Sequence, residues 1–156
     1  MSDDRAIRVS RVIDAPAARI FAFLTSADNH PALDTSGMVL GSADHARLDR
    51  VGAVFVMNMH NGIKGDHRVA NHVIVYEPDH AIGWAPAEPG REPAGHTYVW
   101  RLVPTADGRT EVSQTYDWSA FTHVEMLAHL PVVNRDQLLA SVDLLAEAVT
   151  AAGNER

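Results

Sequence analysis

The chain contains no cysteine. Disulfides, thiolate nucleophiles and sulfur-ligated zinc are thereby excluded, and a metal would have to be held by histidine and carboxylate alone. Basic runs are missing too: 13 Lys and Arg are outnumbered by 20 Asp and Glu, for a formal net charge of -7. A phosphate backbone or an anionic lipid surface is therefore a poor main partner. No apolar run approaches the roughly 20 residues that span a bilayer. Met1-Ser2-Asp3-Asp4-Arg5 is polar and acidic where a secretory signal would carry an apolar stretch. The expectation is a cytoplasmic protein without membrane insertion. There is also no G-x-S-x-G nucleophile elbow, phosphate-binding glycine loop or dinucleotide fingerprint, so no cofactor is implied and any catalysis would be general acid and base work.

What is present fits one globular unit. A chain of 156 residues has the length of a single domain, read here as residues 1–156, and can bury roughly 70% of the surface its unfolded form exposes. Its 46% hydrophobic and 21% charged residues match ordinary globular proteins rather than disordered or fibrous ones.

The hydrophobic period changes along the chain. Ile7, Val9 and Ile13 alternate with Arg8 and Ser10, the period of two of a half-buried strand over residues 6–13. Pro16, Ile20, Phe21 and Leu24 then predict a short helix over about 16–25, with proline in its first turn. Asp28-Asn29-His30-Pro31 breaks it, allowing at most one further turn, and Met38-Val39-Leu40 is a short strand between Gly37 and Gly41. From Val51 onwards strands and turns dominate. Asn61-Gly62 is a strong hairpin signal, with the return strand from about Lys64 to Tyr76. Strands are expected over His80–Trp84, His96–Val103 and Thr110–Trp118, with a loop from Pro86 to Gly95.

The last third is helical. Leu138, Val142, Leu145 and Val149 recur at helical spacing, widened by Leu139 and Ala146. Asn134 is a suitable N-cap, Gln137 stands at capping-box distance, and Gly153 can end the helix. The fold class is therefore α+β: a curved antiparallel sheet of six to seven strands around a long C-terminal helix, with one or two short helices after the first strand. One helix cannot touch the whole concave face of such a sheet, so side chains or a ligand must fill the remainder.

Strict alternation puts one large, soft set of side chains on that face: Phe55, Met57, Met59, His67, Val69, Val73, Ile82, Trp84, Tyr98, Trp100, Leu102, Val112, Tyr116 and Trp118. A filled core explains each one singly. The mixture favours a partly polar pocket, because Met adapts to irregular shapes while Tyr and Trp carry polar ends that need partners when buried. His67 and Gln114 on the same parity would be awkward in a dry core. The ligand-binding candidates are Phe55, Met57, Met59, His67, Trp84, Tyr98, Trp100, Tyr116, Trp118 and Leu138. The acid and base candidates are His67, Tyr98, Tyr116 and Asp34, with Asp117 facing solvent by parity. Against these stand plain structural roles: Asp34 as a turn cap, the tyrosines as packing. Nine histidines invite a metal, yet the nearest pairs, His67 with His72 and His123 with His129, lack ligand spacing, and five residues along a strand reverse the face.

In order along nearly the whole chain, several segments resemble the START-like or SRPBCC superfamily, in particular its bacterial polyketide cyclase/dehydrase-like branch, related in fold to the Bet v 1 allergens. They are Val12-Ile13-Asp14-Ala15-Pro16 before Ile20-Phe21-Ala22-Phe23-Leu24, Asn29-His30-Pro31 with Asp34-Thr35-Ser36-Gly37, and Val51-Gly52-Ala53-Val54-Phe55. Asn71-His72-Val73 through Tyr76-Glu77-Pro78 to Ile82-Gly83-Trp84, Tyr98-Val99-Trp100-Arg101-Leu102, Thr115-Tyr116-Asp117-Trp118 and Gln137-Leu138-Leu139 complete the match. The resemblance implies a helix-grip fold whose deep cavity takes lipids, polyketides, hormones or other apolar molecules, without implying one reaction.

Three functions follow as expectations. The first is binding, or transport, of a small hydrophobic molecule. The second is a polyketide cyclase, aromatase or dehydratase in which His67 with a Tyr or Asp moves protons at an enolisable carbon. The third is a regulatory interaction module or homodimer, which requires an exposed apolar patch. A cone-shaped NTF2-like domain is the rival fold, but it opens with helices, whereas this chain opens with a strand and closes on its longest helix.

Overall fold

A computed structural model describes residues 5–122, 130–131 and 133–154. The strands are β1 (Ala6–Ile13), β2 (Val39–Ser42), β3 (Val54–Asn61), β4 (Gly65–Glu77), β5 (Ala81–Ala87), β6 (Thr97–Pro104) and β7 (Thr110–Asp117). Between β1 and β2 lie helix α1 (Ala17–Leu24) and a 3-10 helix (Ala27–Leu33), and α2 (Arg135–Asn154) closes the chain. All seven strands form one antiparallel sheet in the order β1-β7-β6-β5-β4-β3-β2. This is the expected helix-grip α+β arrangement.

Local chemistry explains the element ends. Pro16 stands just before α1, its carbonyl accepting the N–H groups of Arg19 and Ile20, and α1 buries Ile20, Phe21 and Leu24. The 3-10 helix accommodates Pro31 and turns His30 and Leu33 inward. At α2 the capping box is reciprocal: Asn134 Oδ1 accepts the Gln137 N–H at 2.8 Å, and Gln137 Oε1 accepts the Asn134 N–H at 2.9 Å. Leu138, Val142, Leu145, Ala146 and Val149 are buried against the sheet, whereas Leu139 is exposed and does not widen the stripe. The helix runs to Asn154, past the glycine expected to end it. Glycine tolerates helical backbone at a cost of about 1 kcal/mol, so Gly153 alone does not force a stop.

Three strand details depart from simple alternation. The Asn61-Gly62 hairpin forms, but with a three-residue loop, residues 62–64, followed by Gly65 in the left-handed position at φ 65°, while Asn61 Oδ1 accepts the N–H groups of Ile63 and Lys64. β5 continues through Pro86 to Ala87 instead of ending at Trp84. Beyond Trp84 its β6 side is unpaired, so the missing proline N–H costs no ladder bond there. A bulge between Val73 and Val75 resets the parity of β4. Tyr76 thereby joins the inner face opposite Ile82 and meets Phe21 edge to face at 5.4 Å.

Candidate functional site

α2 packs mainly on β1 and β7, at one end of the sheet, and on the 3-10 helix. The concave surface of β3 to β6 is left uncovered by it, and there the structure holds a cavity of about 710 Å³. That volume lies within the roughly 300–1,000 Å³ of small-molecule sites. Apolar walls come from Leu33, Met57, Val69, Trp84, Trp100 and Leu138. The mouth lies at the β3–β4 hairpin and Glu88, where Ile63 is 59% exposed.

Of the ligand-binding candidates, Met57, Met59, His67, Trp84, Tyr98, Trp100 and Leu138 line this cavity. Phe55, Tyr116 and Trp118 are outside the lining. Phe55 is buried behind it, edge-on to both His30 and Trp84. Tyr116 is fully buried between Tyr98, stacked at 4.6 Å, and Trp118 at 5.0 Å. Parity groups these side chains on one face, but it cannot separate those that bound a hollow from those that fill the core beneath it.

Of the acid and base candidates, Tyr98 and Tyr116 are stacked, hydrogen-bonded neighbours and the charge of Asp34 acts on Tyr98, while His67 stands apart. Each oxygen of Asp34 already accepts two hydrogen bonds: Oδ1 from the N–H and hydroxyl of Ser36, Oδ2 from the N–H groups of Gly37 and Val39. It shapes a turn and has no lone pair to spare for a substrate proton. His67 uses Nδ1 to bond the Gly65 carbonyl at 2.9 Å, so a neutral ring presents Nε2 as acceptor. It stands opposite Met59 near the hairpin, whereas Tyr98 belongs to the cross-strand row Val73, Trp84, Tyr98, Tyr116. Val73 stands six positions along β4 from His67, roughly 20 Å along the strand. Tyr98 holds its proton: burial pushes its pKa well above the usual phenol value, helped by its hydrogen-bonded neighbour Tyr116 and by the charge of Asp34.

Two lining residues were missed as site candidates. His30 stacks on Trp84 at 4.8 Å and bonds the Leu24 carbonyl through Nε2 at 2.8 Å. Burial lowers its pKa, opposed by that hydrogen bond, so the ring is neutral and Nδ1 is its acceptor. The only trace in the sequence is that His30 stands in the Asn29-His30-Pro31 segment. Gln114 has its parity in its favour, but nothing in the sequence distinguishes an unpartnered amide from a bonded one. In the structure it is 6% exposed and its Oε1 has no hydrogen-bond partner. Among the described residues no group of three or more His, Asp or Glu could hold a metal, and His123 and His129 lie outside those residues. No helix among them is long and apolar enough to cross a membrane.

Residues 4–150 match the family described as polyketide cyclase / dehydrase and lipid transport. No curated protein matches the chain. Among solved structures, a protein from Chromobacterium violaceum is 18% identical with a TM-score of 0.66, covering 93% of this chain and 96% of its own. An AHSA1-like protein from Aeromonas hydrophila is 18% identical with a TM-score of 0.66 over 97% and 96%. A protein described as the Aha1 dimer from Colwellia psychrerythraea is 19% identical with a TM-score of 0.58 over 92% and 95%. At these identities the likeness is one of fold.

Proposed function

This chain belongs to the polyketide cyclase / dehydrase and lipid transport family, and we propose that it binds, and carries, one small hydrophobic molecule such as a lipid or polyketide in the cavity beside α2. The observation that supports this reading is the cavity itself: about 710 Å³, walled by three methionines, two tryptophans and aliphatic side chains. Water gains little in such a space, while an apolar guest gains both burial and dispersion contacts. The residues favour binding over cyclase or dehydratase chemistry. Asp34 is saturated with donors, Tyr98 keeps its proton, and His67 stands at the mouth. Proton shuttling would need two of them on one carbon.

Gentle native mass spectrometry of the purified protein tests the reading. The expected result is an added mass that organic extraction removes and that returns on incubation with the extract. Quenching of Trp84 and Trp100 should accompany reloading. Empty protein that takes up no member of a panel of fatty acids and polycyclic aromatics, with unmoved tryptophan fluorescence, would end the proposal.

A further inference from the structure

We propose that Gln114 is a specificity-determining residue of this cavity and that the preferred guest is an apolar molecule whose inner end carries a neutral hydroxyl. The inference rests on the binding reading above and deepens it.

Gln114 lies on β7 opposite Trp100 of β6 and Val9 of β1. It lines the cavity, is 6% exposed, and its Oε1 is a buried acceptor with no partner in the protein. A buried carbonyl oxygen without a donor is unfavourable, and among the described residues no other buried side-chain oxygen is left in that state. Trp100, its cross-strand neighbour, is 1% exposed and walls the same cavity. A guest that brings a donor to this point removes the deficit, and a guest without one leaves it in place.

Charge narrows the class further. The charged lining residues are Asp34, Lys64, Arg68 and Glu88. Lys64 pairs with Glu88 at 3.2 Å and Arg68 bonds Asn58, all at exposed positions, and Asp34 is held by its turn. None of the cations neighbours Gln114 on β6, β7 or β1. A carboxylate or ammonium placed at Gln114 would be buried without a counter-ion. A ketone, ether or ester can accept from the amide N–H groups but leaves Oε1 without a donor. An alcohol or phenol donates to Oε1 and can accept from the amide N–H groups of the same side chain.

Matched naphthalene probes test this through quenching of Trp84 and Trp100: 2-naphthol donates, 2-methoxynaphthalene only accepts, and 2-naphthoate is anionic at neutral pH. The expected wild-type order is 2-naphthol first by about tenfold or more over each of the others, the factor that one unmade bond to a buried group produces. In Gln114→Met, a change of similar volume, the naphthol to methoxynaphthalene ratio should fall to near one while methoxynaphthalene binding is kept or improved. The ligand-free variant should also melt no lower than wild type, since it removes a buried acceptor that has no partner. A Gln114 that merely held the fold together would melt lower on substitution. Equal wild-type affinities for naphthol and methoxynaphthalene, or an unchanged ratio in the variant, overturns the assignment while leaving the binding reading intact. Binding of none of the three probes overturns the assignment, and if the fatty acids and polycyclic aromatics are refused as well it overturns both. The wild-type ratio decides on its own if the variant does not fold.

Discussion

Single residues around the cavity carry constraints that composition alone does not reveal. Gly95 adopts φ +117°, and a Cβ built there would lie 2.0 Å from the Ala120 carbonyl oxygen and 2.5 Å from its carbon. Both neighbours are backbone, so a side chain cannot be accommodated by a rotamer change. The approach is held by Thr122, whose N–H and hydroxyl both donate to the Ala94 carbonyl, and Ala94 walls the cavity. Gly95→Ala should cost about 2–4 kcal/mol through the clash and the unfavourable dihedral together, read as a lower urea midpoint; a cost under about 0.5 kcal/mol would show that this approach is relaxed. His30 makes a different prediction. Its folded pKa is lowered from 6.5 by burial, so as pH falls below 6.5 the unfolded chain takes up the proton before the folded one does. The stability His30 contributes is complete above that pH and is lost as pH falls towards the depressed folded value. Urea midpoints measured from neutral to mildly acidic pH should therefore drop more steeply for wild type than for His30→Gln, whose amide N–H can still reach the Leu24 carbonyl. Parallel slopes would remove His30 from the account.

At the scale of elements, the start of α2 was the most legible part of the chain. Asn134 and Gln137 satisfy one another's backbone N–H groups, and a cap needs nothing beyond its own four residues. Asn134→Ala should cost about 1 kcal/mol. Gln137→Ala should cost more, because the Gln137 side-chain amide also donates to the Thr35 carbonyl, a bond lost together with the cap, whereas the Thr35 hydroxyl keeps its bond to the backbone carbonyl of residue 137. Thermal melts of the two variants check the order, and a reversed order would mean that the tie between α2 and the Asp34 loop contributes nothing. The strands were legible in number and sequence but not at their irregular points. Whether β5 passes Pro86 depends on where β6 stops pairing, and whether Tyr76 faces inward depends on the bulge beside Val75. Both are settled by a neighbouring strand, which no local pattern contains. The same limit governed the site. Alternation placed Met57, Trp84, Tyr98 and Trp100 on the concave face, yet it grouped them with Phe55, Tyr116 and Trp118, which the fold buries in its core. His30 comes from a 3-10 helix, outside any strand alternation.

For the whole molecule, the decisive feature is that α2 rests on β1 and β7 while the cavity occupies the concave surface of β3 to β6. The core is therefore continuous at one end and hollow at the other. Side chains around the hollow lack dispersion partners until a guest supplies them. Because a guest of this kind binds only the folded chain, occupancy adds stability in proportion to the logarithm of its concentration. At one hundred times its dissociation constant the gain is about 2.7 kcal/mol. For a domain near this size each kcal/mol raises Tm by about 2–4 °C, so extracted protein should melt roughly 5–11 °C below the reloaded form. The shift should keep growing as guest is added beyond saturation of the tryptophan signal, since mass action on the unfolded state does not saturate with occupancy. A Tm that stays constant while Trp84 and Trp100 report full binding would mean that the guest has equal affinity for the unfolded chain. That outcome would assign the fluorescence change to surface adsorption rather than to a molecule enclosed between sheet and helix.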